Sequence, residues 1–290
     1  MEIIQFFSEN TDIFLFTIAA FSLLVGSFLN VVIYRLPQML MNEWGQECRE
    51  YLGLKPLSPE EKEKLNLYLP MSHCTHCKKR LKPWHNIPVL SYLVLKGKCA
   101  YCKARISLRY PLVEIICCIA SVYVAWRFGF SAQTLAGLIL TWTIICLTFI
   151  DLDHHLLPDH LTFFLLWMGL LFSILPVFAT SRDAILGAVS GYIIFAIVQE
   201  SFKLVTGKVG MGQGDFKFLA ALGAYLGWQQ LPIIILLASI IGLIFGVIQM
   251  TLKKQFKSVP IPFGPYLALA GWISMMWGNE ILSIYLTKFM

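Results

Sequence analysis

Eight stretches of this chain are apolar over the length a helix needs to cross hydrocarbon, or nearly so, and that leaves few folds open. A bilayer core of about 30 Å takes about 20 helical residues. Runs of this kind occupy 12–34, 111–130, 133–150, 160–178, 184–205, 231–252 and 264–287, with a shorter one at 216–229. Inside lipid every backbone amide and carbonyl must be satisfied within the protein, so long unbroken apolar runs become helices. The expected fold is an all-α polytopic membrane protein of about eight transmembrane helices. The charged fraction of 14%, against about 25% in soluble domains, agrees. The first run lacks a basic segment before it and a small-residue cleavage site within it, so it reads as a retained helix and not a signal peptide.

Lys and Arg set the expected orientation. With the N-terminus outside, all but Arg127, Arg182 and Lys288 of the 23 basic residues fall on the inner side, as the positive-inside rule requires. The N-terminus is therefore expected in the periplasm of a bacterial inner membrane. The formal charge of +6 is accounted for by orientation and by anionic lipid, and no nucleic-acid partner is expected.

The only sizeable polar region divides the chain into three expected parts: a first helix at 1–37, a cytoplasmic insert at 38–109 and a transmembrane domain at 110–290. The insert carries Cys74-Thr75-His76-Cys77 and Cys99-Ala100-Tyr101-Cys102. Two Cys-x-x-Cys turns can present four thiolates to one tetrahedral zinc ion in a closed, structural site, a small zinc-ribbon-like module. Disulfides are the alternative, disfavoured on the reducing cytoplasmic side. His73 and His76 are substitute ligands, while Cys48, Cys117, Cys118 and Cys146 read as packing or surface thiols.

Two aspartates stand at ends of apolar runs on that same inner side. Asp151 follows Phe149-Ile150 and opens the polar turn through Pro158, and Asp215 follows Gly210-Met211-Gly212-Gln213-Gly214. Charged groups beside hydrocarbon are costly and usually functional. Two carboxyls brought together can share one proton, the arrangement with which an aspartyl hydrolase activates water. Spacing alone leaves Asp153 as an alternative to Asp151. Asp153, Asp159, His154, His155 and His160 read as a solvated hairpin, Lys217 as either a carboxyl neighbour or an inner-face anchor, and Glu200 with Lys203 as a helical pair. No strand precedes the glycines, which argues against a dinucleotide-binding loop.

On these residues the chain resembles the type IV prepilin peptidases, GxGD-type intramembrane aspartyl proteases that are usually also N-methyltransferases. The resemblance runs from Gly26-Ser27-Phe28-Leu29-Asn30 through Arg35-Leu36-Pro37, the two Cys-x-x-Cys pairs and Arg109-Tyr110-Pro111-Leu112-Val113-Glu114 to Gly212-Gln213-Gly214-Asp215 and Pro260-Ile261-Pro262-Phe263-Gly264-Pro265. It implies Asp151 and Asp215 as the catalytic pair, favouring Asp151 over Asp153. It also implies cleavage of the leaders of prepilins and pseudopilins after a Gly at the cytoplasmic face, followed by N-methylation of the new N-terminal residue, usually Phe, from S-adenosylmethionine. For the methyl-donor site it suggests only Asn30, Arg35 and Glu114, each with a structural alternative. Two other functions fit intramembrane acids and a metal module: a proton-coupled transporter and a non-catalytic zinc-ribbon scaffold of a secretion system.

Overall fold

The computed structural model describes residues 2–55, 65–253 and 262–289; Pro260 and Ile261 lie outside them. The described residues form α1 (Glu2–Glu9), α2 (Thr11–Tyr51), α3 (Leu90–Val94), α4 (Arg109–Phe128), α5 (Ala132–His154), α6 (Asp159–Ile174), α7 (Ser181–Thr206), α8 (Gln213–Leu226), α9 (Leu231–Lys253) and α10 (Gly264–Phe289). Each of the eight apolar runs becomes one helix, and the all-α polytopic fold is borne out. By length and composition α2, α4, α5, α7 and Trp228–Thr251, which holds most of α9, can cross a membrane. One difference concerns α2, which continues through Pro37 to Tyr51 over 41 residues, well past the apolar run. The residues after Pro37, such as Gln38, Met39, Leu40 and Met41, are strong helix formers that need no lipid.

The chain forms two compact units, Met1–Trp126 and Arg127–Met290. In the first, α2 and α4 cross at Gly26, where a Cβ would lie 2.9 Å from the Glu114 Cα. Only a glycine allows that approach, the small-residue contact by which helices pack in lipid. Farther along α2 the buried Arg35 guanidinium donates to the carbonyls of Asn66 (2.9 Å), Leu67 (3.4 Å) and Pro70, tying the loop to the helix. The two Cys-x-x-Cys turns are internal copies. Cys74 and Cys99 amides donate to Lys79 and Ala104 carbonyls at 3.0 and 2.8 Å, and Leu81 and Ile106 amides to Ser72 and Gly97 carbonyls, both at 2.8 Å. Lys78 and Lys103 take matching left-handed conformations, φ 56° and 59°.

The second unit is built around α8, whose 14 residues rise about 21 Å at 1.5 Å each, too short to span hydrocarbon alone. It is buried from Asp215 to Leu226 except at Lys217 and packs chiefly on α7 and α6. Gly187 of α7 and Gly223 of α8 bring two backbones into contact: a Cβ on either would lie 2.1 or 2.2 Å from the other's carbonyl oxygen. Polar groups within this core are paired across helices, Tyr225 Oη donating to the Ala136 carbonyl at 2.7 Å and Trp272 Nε1 to Thr141 Oγ1 at 3.1 Å. Such bonds contribute about 0.6 kcal/mol each in membrane proteins.

Candidate active site and metal centre

Asp151 lies one turn from the end of α5. The helix stops there because His155 turns left-handed, φ 51° and ψ 42°, and donates its amide back to the Asp151 carbonyl at 2.9 Å, a single-bond αL termination. The side chain is 5% exposed, and its Oδ2 accepts the Gly264 amide at 3.0 Å. Gly264 is the first residue of α10, so the carboxylate meets the positive end of a helix. Asp153, the spacing alternative, is exposed. His155, read as part of a solvated hairpin, interacts electrostatically with Asp151 as well as ending its helix.

Asp215 is the third residue of α8, 8% exposed. It accepts the amide of the N-cap residue Gly212, half of a capping box, while its own amide donates to the Gly212 carbonyl at 3.2 Å. Asp151 and Asp215 lie within electrostatic reach of one another. Leu157 is shared between them, standing against both Gly214 and Gly264, where added Cβ atoms would be 2.9 and 3.0 Å from its side chain. The unit thus brings together two buried carboxyls from chain segments far apart in sequence, each held by a backbone amide at a helix terminus.

The glycine segment before α8 is anchored by a residue the sequence reading passed over. Gln199 of α7, 9% exposed, accepts the Gly210 and Met211 amides on its Oε1 at 3.2 and 3.0 Å. Lys217, read as a carboxyl neighbour or an inner-face anchor, has a carboxyl partner in Asp159. Its Nζ bonds both carboxylate oxygens of Asp159 at 2.8 and 2.7 Å and lies 5.5 Å from the Phe163 ring centroid, joining α8 to α6. Among the described residues no ion pair joins Glu200 to Lys203, which the helical spacing had paired.

Cys74, Cys77, Cys99 and Cys102 place their Sγ atoms within 4.8 Å of one another, with Cys74 and Cys102 3.8 Å apart. A tetrahedron with metal–sulfur distances of about 2.3 Å has edges of about that length, so the four sulfurs could hold one metal ion. The Cys102 amide beside the Cys99 sulfur pulls that thiol down to about 6, toward the thiolate a metal needs.

The remaining candidates fall in the first unit and line one cavity of about 870 Å³. The Asn30 amide nitrogen donates to the Gly26 and Tyr110 carbonyls at 3.3 and 3.1 Å. Glu114, 8% exposed, accepts the Val89 amide at 2.8 Å and has the Ser27 hydroxyl beside it. Arg35 reaches the same cavity, but its guanidinium is occupied by the three loop carbonyls.

Residues 20–128 match the Bacterial Peptidase A24 N-terminal domain and residues 138–247 the Type IV leader peptidase family. Among curated relatives, the prepilin leader peptidase/N-methyltransferase of Stutzerimonas stutzeri is 50% identical, covering 98% of this chain and 97% of its own. That of Pseudomonas aeruginosa is 50% identical over 99% and 98%, and that of Legionella pneumophila 46% identical over 94% of each. No solved structure matches the chain significantly. With two family domains in order and half of all residues identical to curated members along nearly the whole length, the chain belongs to the type IV leader peptidase family.

Proposed function

We propose that this multi-pass inner-membrane protein removes the leader peptide of prepilins and pseudopilins with Asp151 and Asp215, and then N-methylates the amine so exposed. The observation that carries the peptidase reading is the pair of buried carboxyls within electrostatic reach of one another. Two such groups hold one proton between them and titrate as a unit. The ionised member takes a proton from water as its oxygen attacks the scissile carbonyl, and the protonated member hydrogen-bonds the carbonyl oxygen. When the tetrahedral intermediate collapses, the C–N bond breaks and the leaving amine takes up a proton. The Gly264 and Gly212 amides orient the two carboxyls, so each is fixed before substrate arrives. The distribution of Lys and Arg supports a periplasmic N-terminus and both aspartates at the cytoplasmic face.

The sulfur donor set and spacing suit zinc, which would act structurally, since four protein ligands leave no open position. S-adenosylmethionine, when bound, supplies an electrophilic methyl: the N–C bond forms as the S–C bond breaks, and the amine releases a proton to solvent. The names of the relatives favour neither a transporter nor a non-catalytic scaffold. The test is cleavage of a prepilin peptide by the purified protein. Asp151→Asn and Asp215→Asn should each lower kcat by about 10²–10⁴-fold, the usual contribution of a general acid or base, with zinc content unchanged. Full-speed cleavage by either variant places the chemistry elsewhere.

A further inference from the structure

The short helix α3 turns its apolar side outward beside the first turns of α4, a helix long and apolar enough to cross a membrane. It starts from an unusual piece of backbone. Val89 has φ 59° and ψ −49°, and around it the Leu90 amide donates to the Pro88 carbonyl at 2.5 Å, a γ-turn of the strained, positive-φ kind. A β-branched residue there persists only where its surroundings hold it, and the hold is the Glu114 carboxylate, which accepts the Val89 amide at 2.8 Å. α4 begins at Arg109, so Glu114 stands roughly 7.5 Å along it at 1.5 Å per residue, past the start of the apolar run at 111. That contact sets the level of α3: its first residues lie where α4 enters the bilayer.

One side of α3 packs on the ribbon. Tyr92 Oη donates to the Ile106 carbonyl at 3.4 Å, and a Cβ on Gly97 would lie 2.7 Å from that hydroxyl. The other side is open. Leu90, Leu93 and Val94 share one helical face and are 61%, 64% and 80% exposed, and Trp84 and Ile87 just before them are exposed too. Apolar side chains left open together mark a contact surface for membrane or for protein. Depth and charge decide between the two. Residues 65–113 hold nine Lys and Arg and no Asp or Glu, a surplus larger than the negative charge that four thiolates keep around one zinc ion. Lys96 and Lys98 follow α3 directly and are exposed, and Lys82 Nζ lies 5.1 Å over the Trp84 ring. An apolar tip edged by tryptophan and collared by lysine suits the headgroup region of an anionic bilayer.

We propose that α3 is a lipid-docking foot of the polar insert. Leu90, Leu93 and Val94 enter the acyl boundary of the anionic leaflet at that end of α4, while Lys82, Lys96 and Lys98 meet its phosphate headgroups. The foot fixes the height of the Cys-x-x-Cys ribbon over the leaflet. This rests on the chain being a multi-pass membrane protein and on neither its peptidase nor its transferase chemistry.

The test uses the full zinc-loaded chain in lipid nanodiscs of phosphatidylcholine, with or without phosphatidylglycerol, each carrying a trace of phospholipid with a diazirine on its acyl chain. Carbene adducts are mapped by mass spectrometry, and the exposed α4 residues Leu112, Ile115 and Ile116 serve as the standard for lipid contact. In discs with phosphatidylglycerol, peptides holding Leu90–Val94 should be labelled about as heavily as that standard. Omitting phosphatidylglycerol should lower their labelling at least about fivefold, the worth of one lysine at an anionic surface, with the standard unchanged. Leu93→Asp/Val94→Asp should lower it at least as far at unchanged zinc content, and the wild-type labelling stands as a test even if that variant fails to fold. An unlabelled tip in the wild type, equal labelling with and without phosphatidylglycerol, or a tip shielded from lipid and cross-linked to a second copy of the chain or to a prepilin peptide overturns the docking.

Discussion

Gly264 has no side chain, and the Asp151 carboxylate occupies the space where one would begin. An added Cβ would lie 2.6 Å from Asp151 Oδ2 and 3.0 Å from Leu157, so Gly264→Ala must push the carboxylate off the amide that orients it. Misplacement of a reacting group by about 1 Å can cost about 10²-fold, and a loss of kcat of that order, with KM little changed, is expected for prepilin cleavage. Wild-type kcat would mean that the amide contact is dispensable. Gln199 acts at one remove, through the loop that leads into Asp215. Gln199→Leu leaves the Gly210 and Met211 amides without their acceptor, at about 1–3 kcal/mol for an unsatisfied buried group. Leader cleavage should fall roughly tenfold, and Gln199→Glu, which keeps an oxygen at that position, should restore most of it. A merely space-filling residue would give the opposite order, with leucine tolerated and glutamate not.

At the scale of elements, α7 and α8 meet backbone to backbone at Gly187 and Gly223. Gly223→Leu puts a side chain where a carbonyl oxygen lies 2.2 Å away and should lower stability by about 1–3 kcal/mol or more, read as a drop in Tm in detergent. Gly45→Ala is the contrast. It sits within α2 with nothing within 4 Å of an added Cβ, and there alanine should be neutral or stabilising by about 0.5–1 kcal/mol. The helices were legible because lipid forces apolar runs into helices, and Asp215 and all four cysteines stood out by residue type and spacing, while only the family resemblance separated Asp151 from Asp153. Three things were not legible. The continuation of α2 past Pro37 lies in polar sequence, where hydropathy is silent although helix propensity is not. The enclosure of α8 among other helices is a second, because an apolar run, even one read as short, does not distinguish burial from lipid exposure. Gln199 and the Val89 turn act through backbone amides at distant or strained positions, and such bonds leave no pattern; Glu114 was named through the resemblance, but not its bond to that turn. One signal was readable and missed: Cys74 to Leu81 and Cys99 to Ile106 repeat the order Cys-x-x-Cys-Lys-x-Arg followed by an aliphatic residue, the sequence trace of the two copied turns.

Across the whole molecule, the two units depend on different things for their order. The core of Arg127–Met290 is apolar helix packed on helix, with α8 enclosed by its neighbours. Residues 72–106 have no comparable core: apart from the short α3 and one 3-10 turn at Pro83–Asn86 they are turns, two isolated bridges and few buried side chains. A segment of that kind takes most of its folding free energy from a bound metal, roughly 10–16 kcal/mol for structural zinc in small peptides. Stripping the metal should therefore unfold the ribbon, remove one wall of the first unit's cavity and leave the helices of the second unit standing. Chelation of the detergent-purified protein, with metal loss verified by elemental analysis, is expected to reduce methylation at least as much as cleavage. Readdition of zinc should restore both activities. Methylation that continues in protein shown to be metal-free would separate the ribbon from methyl transfer, and cleavage lost while methylation of a pre-cleaved peptide persists would tie the metal to the aspartates instead.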